Sequence, residues 1–402
     1  MGLTVAALAL AWLVALVATP VARRTAFHIG CVDLPDGRRK LHRRPTPLLG
    51  GVAVVLGFMT AVSLITAVFV PLPTADEWKF ILGLLLSGAA ICIVGVCDDL
   101  WELGAGKKLV GQAAAAGILI AVGSQVRQVT AMGMTVDLGY LSIPFTLVWL
   151  LGAMNALNFI DGLDGLATGL GAIAATLFCV VAVASGKVVD AVAAAALAGS
   201  TLGFLRFNFP PARIFLGDAG SMFIGLVLGA ISIHGSMKTP ATLVFAVPAG
   251  LLALPLLDGV VAILRRRLTG KALQIADRGH IHHCLLDRGL SPLQAVVCLW
   301  GLSIVTGLAA LASFYWQNDA VALAAVAAVV GLLVASKSFA HHECGLLVSR
   351  IAAALAAARS LLYRQSQLPS RRSAEPTLSA APGRFDRSGG TTPQGCQHAE
   401  VA

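Results

Sequence analysis

The sequence predicts an all-α polytopic membrane protein, and three observations carry that expectation. Of the 402 residues, 57% are hydrophobic and only 12% charged, whereas a soluble domain is roughly 25% charged. The apolar residues gather into long runs, many of about 20 residues, the length an α-helix needs to cross a hydrocarbon core. The basic residues gather in the connections between those runs, and overwhelmingly in alternate connections.

In chain order, candidate spans run at 3–22, 48–71, 78–96, 109–123, 143–157, 166–185, 188–205, 219–236, 240–264, 292–315 and 320–336, giving about eleven transmembrane helices. The runs at 109–123 and 143–157 are short, and losing either would invert everything after it. The first run has no basic segment ahead of it and is followed by Arg23 and Arg24. That charge order predicts a retained span with a cytoplasmic C-terminal end rather than a cleaved leader. Between Ser124 and Ser142 the sequence alternates around Gly133, which predicts a small external β-hairpin. Residues 1–340 are expected to form the transmembrane domain. Residues 341–402, rich in Ala, Arg, Ser and Pro, are expected to form a cytoplasmic tail, with a short helix over Ile351–Tyr363 and disorder beyond Gln365.

Charge fixes the orientation. With the N-terminus outside, one side collects Arg23, Arg24, Arg38, Arg39, Lys40, Arg43, Arg44, Lys107, Lys108, Arg206, Arg213, Arg265, Arg266, Arg267, Lys271, Arg278, Arg288 and the eight basic residues of the tail. The other side holds only Lys79, Arg127, Lys187 and Lys238. The positive-inside rule makes the larger set cytoplasmic, together with the C-terminus. The net charge of +9 points to anionic lipid and an anionic substrate rather than nucleic acid, because the basic residues are not interleaved with aromatic ones. The eight cysteines are scattered without a Cys-x-x-Cys pair, which argues for neither a disulfide framework nor zinc.

Five polar islands interrupt this pattern, all on the cytoplasmic side of the expected topology. The most costly is Asn155-Ala-Leu-Asn158-Phe-Ile-Asp161-Gly-Leu-Asp164-Gly, set between two nearly uncharged runs. Carboxylates there cost a few kcal/mol unless they meet water, a cation or a partner. The three-residue spacing would put the four side chains on roughly one stripe of a helix. Asp98-Asp99 ends the third run, where two adjacent acids can hold a divalent metal or divide the roles of base and fixed charge. The plainer account, an exposed loop start paired with Lys107 and Lys108, weighs about equally for those two acids alone. Lys40-x-His42, followed by Pro45-x-Pro47 and Gly50-Gly51, offers donors suited to phosphate. Asn208-x-Pro-x-Ala-Arg213-x-Phe-x-Gly-Asp218 contains an acid that, taken singly, reads as a helix N-cap. The fifth island is Asp277-Arg-Gly-His280-Ile-His282-His283, whose three histidines suit metal or phosphate contact. Together they describe a site at one membrane face with several carboxylates, donors for phosphate, and lipid beside it. That combination suits magnesium, a nucleotide-borne phosphate and a lipid acceptor.

At these residues the sequence resembles the polyprenyl-phosphate N-acetylhexosamine-1-phosphate transferase superfamily, from the Arg39-Lys40-x-His42 loop to the two spans after His283. The Asp98-Asp99, Asn155-to-Asp164, Asn208-to-Ser221 and His280-Ile-His282-His283 blocks all occur in the family's order. The resemblance implies transfer of a hexosamine 1-phosphate, most simply GlcNAc 1-phosphate, from a UDP-sugar to undecaprenyl phosphate in the bacterial cytoplasmic membrane, with release of UMP. It implies magnesium, with manganese as the alternative, held by Asp218 with Asn155 nearby. It implies Asp98 as a base for the lipid phosphate, Asp99 beside it, and Asp161 near metal and nucleotide. Lys40, Arg213, His282 and His283 would bind phosphate or sugar. His42, Asn158, Asp164, Asn208 and His280 would complete the substrate-binding set, Asp164 mainly by holding its loop. The expected partners are the UDP-sugar, undecaprenyl phosphate, membrane lipid and a second copy of the chain. The compact histidine loop is similar to that of enzymes that begin O-antigen, common-antigen or wall teichoic acid synthesis from UDP-GlcNAc. The alternatives are the branch that uses UDP-MurNAc-pentapeptide and, in a different class, an ion-coupled transporter, which would need acids near the bilayer midplane and repeated halves.

Overall fold

The computed structural model describes residues 1–35, 45–69, 73–131, 134–236, 252–269, 279–336, 339 and 355–360. Within them the chain forms α1 (Gly2–Ile29), α2 (Gly50–Phe69), α3 (Ala75–Trp101), α4 (Ala105–Ala121), α5 (Ser142–Ile160), α6 (Leu166–Ala184), α7 (Val188–Asn208), α8 (Gly217–Ser236), α9 (Ala253–Thr269), α10 (Ile281–Asp287), α11 (Pro292–Trp316) and α12 (Asp319–Ala335). Eight helices, namely α1, α2, α3, α5, α6, α7, α8 and α11, are long and apolar enough to cross a membrane. The three remaining apolar runs carry α4, α9 and α12, each of 17 residues. The early part of the ninth expected span, residues 240–251, lies outside the described residues. Of the expected tail only 355–360 are described, and they are helical.

Local sequence explains the helix ends. Thr74 and Glu77 form a reciprocal capping box at the start of α3, and Ser291 and Gln294 form another at α11, with Pro292 in its first turn. The expected hairpin is present: β3 (Gln128–Ala131) pairs antiparallel with β4 (Met134–Asp137), Gln128 opposite Asp137. β1 (Val32–Asp33) pairs with β2 (Thr46–Pro47), bracketing the first basic loop. Two helices run longer than their apolar stretches. α1 continues past Arg23 and Arg24 to Gly30, which adopts the left-handed conformation that terminates it. α3 continues through Asp98 and Asp99 to Trp101, because both acids find partners on other helices.

Helices in lipid gain little from hydrophobic burial against each other, so close packing depends on small side chains. α8 is the central helix, enclosed by α2, α3, α5, α6 and α7. α3 approaches it at Gly95, where a Cβ would lie 2.2 Å from Ala219 Cα. The buried face of α1 is Ala7, Ala11, Ala15, Thr19, Ala22 and Ala26. It meets α7 at Gly199 and Gly203, where added Cβ atoms would lie 2.1 Å from the Leu8 carbonyl oxygen and 2.5 Å from that of Trp12.

Candidate active site

The site forms where the C-terminal ends of α3 and α5 meet the N-terminal ends of α4 and α8. Asp99, in the last turn of α3, reaches across to α8: Oδ1 accepts the Asp218 backbone N–H at 2.9 Å and Oδ2 accepts that of Ala219 at 3.4 Å. A helix N-terminus has unpaired N–H groups and a positive dipole end, which a carboxylate satisfies. The cap on α8 is therefore Asp99, and the Asp218 side chain is left for other contacts. Gly217, at φ +72°, makes the turn possible; a Cβ there would lie 2.6 Å from Asp99 Oδ2 and 2.4 Å from the Leu48 carbonyl oxygen.

Asp218 meets a cation. Lys108, in the first turn of α4, places its ammonium 2.5 Å from Asp218 Oδ2, 2.8 Å from Asp98 Oδ2 and 3.0 Å from Asn158 Oδ1. Asn158 Nδ2 in turn donates to Asp218 Oδ1 at 2.5 Å and to Ser221 Oγ at 3.0 Å. Lys108 thus lies in a cradle of three oxygens carrying two negative charges. Among the described residues no three His, Cys, Asp or Glu side chains converge as a metal centre. The cradle nevertheless fits magnesium, a hard cation commonly bound by one or two carboxylates together with substrate phosphates.

The island from Asn155 to Asp164 is divided by the end of α5. Asn155 and Asn158 share that helix, Asp161 terminates it, and Asp164 lies in the turn to α6, so one helical stripe does not extend to all four. Asn155 exchanges hydrogen bonds with the fully buried Gln112, its Nδ2 donating to Gln112 Oε1 at 2.8 Å. The described hydrogen bonds bring Asn158, rather than Asn155, to Asp218, because Asn158 lies one turn nearer the helix end. Burial, reinforced by the Asp218, Asp99 and Asp164 carboxylates, pushes the Asp161 carboxyl well above its ordinary value. Asp164 accepts the Ala212 backbone N–H at 2.9 Å and so ties this turn to the loop before α8. Asn208 ties the same two segments: its Oδ1 accepts from Gly165 N and Thr168 Oγ1, and its Nδ2 donates to the Ile214 carbonyl. The backbone carbonyl of Arg213 accepts a hydrogen bond from Arg23 Nε at 3.2 Å.

The histidine loop closes on the same turn. His282 packs on Gly162, where a Cβ would lie 2.2 Å from His282 Nε2. Burial, with the neighbouring His283 and His280, holds His282 down at about 3, so its imidazole is neutral near pH 7. His282 is 2% exposed, and its Nδ1 has no hydrogen-bond partner among the described residues. Its ring lies 5.9 Å from that of His280 and 4.3 Å from that of His283. Lys40 and His42 lie outside the described residues, as do Asp277 and Arg278.

Sequence reasoning took Lys108 only as a counter-charge in the plainer account of the two acids, and passed over Gln112 and Asp258. The signal for Asp258 was available: a lone acid inside an apolar run needs a partner. It has two, His280 Nδ1 and Ile281 N, at 2.7 and 2.8 Å.

Residues 81–236 match the family model described as glycosyl transferase family 4. The chain is 34% identical over 302 residues to the probable undecaprenyl-phosphate N-acetylglucosaminyl 1-phosphate transferase of Bacillus subtilis, an alignment spanning 74% of this chain and 82% of that one. It is 36% identical to the decaprenyl-phosphate N-acetylglucosaminephosphotransferase of Mycolicibacterium smegmatis, over 79% of this chain and 84% of that one. A phospho-N-acetylmuramoyl-pentapeptide-transferase of Halalkalibacterium halodurans is 30% identical, over 67% and 84% of the two chains.

Proposed function

The chain belongs to the polyprenyl-phosphate N-acetylhexosamine-1-phosphate transferase superfamily, within glycosyl transferase family 4, and from that premise we propose the reaction it carries out. GlcNAc 1-phosphate passes from UDP-GlcNAc to undecaprenyl phosphate, giving a lipid-linked diphosphate sugar and UMP. The observation that carries this reading is the Lys108 ammonium bracketed by Asp98, Asp218 and Asn158, three oxygens that hold a cation. The relatives named for GlcNAc 1-phosphate transfer are 34–36% identical, against 30–32% for the muramoyl-pentapeptide transferases, which favours the smaller donor.

In the transfer, an oxygen of the lipid phosphate attacks the sugar-bearing phosphorus, the bond to the bridging oxygen breaks, and UMP leaves with that oxygen. Two anions must approach each other, so removal of their repulsion matters more than creation of a nucleophile. The lipid phosphate, with a second pKa of about 6, is already largely ionised near neutrality. Asp98 lies within reach of Lys108 and can take the remaining proton from the acceptor. Asp218 and Asn158 would hold magnesium in the cradle, where the ion would supply charge neutralisation to the diphosphate. The Lys108 ammonium, held between Asp98 and Asp218, can pair with the substrate phosphates. Asp99 keeps α8 and therefore Asp218 in place through its cap. His282, held neutral, can donate one hydrogen bond without adding a charge.

The bias of 25 basic residues against 4 supports eleven spans, an external N-terminus and a catalytic end on the cytoplasmic face of the bacterial inner membrane. The product would be the first lipid-linked intermediate of a cell-envelope glycan. The test is a donor panel with purified protein, undecaprenyl phosphate and magnesium, scoring UMP release. UDP-GlcNAc is expected to be the preferred donor, ahead of UDP-GalNAc. Preference for UDP-MurNAc-pentapeptide would overturn the assignment of the sugar, and UMP release from none of the three would overturn the reaction.

A further inference from the structure

Asp258 lies inside α9 at 1% exposure, and an ionised carboxylate so placed needs partners. Each oxygen has one: Oδ1 accepts the Ile281 backbone N–H at 2.8 Å, and Oδ2 accepts the His280 Nδ1–H at 2.7 Å. An ionised carboxylate only accepts, so this contact places a hydrogen on His280 Nδ1. His280 is the N-cap residue of α10, the short helix that carries His282 and His283. A second tie from α9 holds the same loop, with Arg265 Nη2 donating to the Gly279 carbonyl at 2.7 Å. The His280 ring lies nearly parallel to that of His282 and 5.9 Å from Phe159, the residue after Asn158 in α5.

The geometry points to Asp258 as the positioning residue of the histidine loop: its carboxylate fixes the His280 tautomer and seats α10, and through them sets where the histidines meet the substrate phosphates or sugar. The inference rests on the transferase reading above. A partner that orients a metal-ligating imidazole typically matters about 10- to 100-fold in activity, and the same order is expected for one that orients a substrate-binding imidazole. The fold contains a matched control, the buried pair of Asp190 Oδ1 and His234 Nδ1 at 2.6 Å. His234 and Asp218 are at opposite ends of α8, about 24 Å apart along a helix rising 1.5 Å per residue.

The experiment uses full-length protein in detergent carrying Asp258→Asn, Asp258→Glu, His280→Gln, the Asp258→Asn/His280→Gln double change, or Asp190→Asn. Asp258→Asn is expected to lower kcat for UMP release by about 10- to 100-fold with the KM for UDP-GlcNAc changed by less than about threefold, and Asp258→Glu to recover part of the loss. In the His280→Gln background the same change should cost no more than about a further twofold, since the two act as a unit. Asp190→Asn is expected to leave kcat intact even where it lowers the unfolding temperature. Nitrogen-15 spectra of histidine-labelled protein should report the Nδ1–H tautomer of His280 in the wild type and a mixture in Asp258→Asn. A full loss on top of His280→Gln, or a His280 tautomer indifferent to Asp258→Asn, would overturn the inference. A wild type that releases no UMP, yet whose His280 tautomer still depends on Asp258, would sink the transferase reading and leave the positioning role standing. Asp258→Glu keeps the charge and tests the same point should Asp258→Asn fail to fold.

Discussion

Asp99, in the last turn of α3, accepts the backbone N–H of Asp218 at 2.9 Å, so a carboxylate on one helix caps the first turn of another. Replacing it with alanine removes the cap and is expected to lower stability by about 1 to 2 kcal/mol. Thermal unfolding in detergent measures this, and Asp99→Asn, which keeps one acceptor oxygen, should fall between alanine and wild type. Unchanged unfolding in Asp99→Ala would mean that α8 does not need the contact.

Lys108 neutralises Asp98 and Asp218 at 2.8 and 2.5 Å. Lys108→Gln keeps length and hydrogen bonding but removes the charge, and is expected to lower UMP release by about 10²- to 10³-fold, the scale of losing one electrostatic stabiliser of a transition state. Activity within a few-fold of wild type would remove Lys108 from the machinery.

Chelation is expected to abolish transfer by the wild type, with magnesium restoring it. Asp218→Asn halves the charge of the cradle and should stay inactive at any magnesium concentration. Measuring UMP release across a magnesium titration distinguishes the two, and full rescue of Asp218→Asn at high magnesium would argue that Asp218 only tunes affinity.

Gly217 has φ +72°, with no room for a Cβ between Leu48 and Asp99. Gly217→Ala is expected to cost at least about 1 kcal/mol from the backbone alone. It should also lower activity, because the displaced atoms are those of the Asp99 cap. A variant with wild-type unfolding temperature and activity would show that the turn can adopt another course.

His282 is held at about 3 in the folded chain, against about 6.5 for a free imidazole. Between those values the unfolded state binds a proton that the folded state does not, so stability rises with pH through that window and is lost as pH falls below about 6.5. His282→Gln should flatten the acid side of a plot of unfolding temperature against pH from 4 to 7. The same steepness in the variant would assign acid sensitivity to other groups.

The helices were legible because lipid demands long apolar runs, and each of the eleven runs carries a helix. The hairpin was legible from its alternation, and the site blocks from carboxylates placed where they are costly. Less legible was what each polar residue touches. The stripe of Asn155, Asn158, Asp161 and Asp164 assumed a helix that Asp161 terminates. Asp218 taken singly read as a cap, beside its assignment to the metal by resemblance; the cap is Asp99, because adjacency in sequence carries no information about α3 meeting α8. Lys108 read as one of two counter-charges in a plainer account, since one basic residue at a helix start looks like any other. Asp190 and Asp258 stood in plain sight as acids inside apolar runs, but their partners, His234 and His280, were distant in sequence.

The seam between α1 and α7 bears on the order of assembly. Gly199 and Gly203 meet the backbone of α1 at Leu8 and Trp12 with no side chain between them. α2 can reach Ala11 and Ala15 at Gly57 as soon as it follows, but the part of α1 that faces Gly199 and Gly203 must stay against lipid, or against a helper, until the five intervening helices and α7 itself have been made. Lipid tails solvate alanine as readily as another helix does, so the delay carries little penalty. Thr19, the polar member of the buried stripe from Ala7 to Ala26, satisfies its hydroxyl on the Ala15 carbonyl within α1, whereas a bulky residue there would obstruct the closure, a defect of biogenesis more than of catalysis.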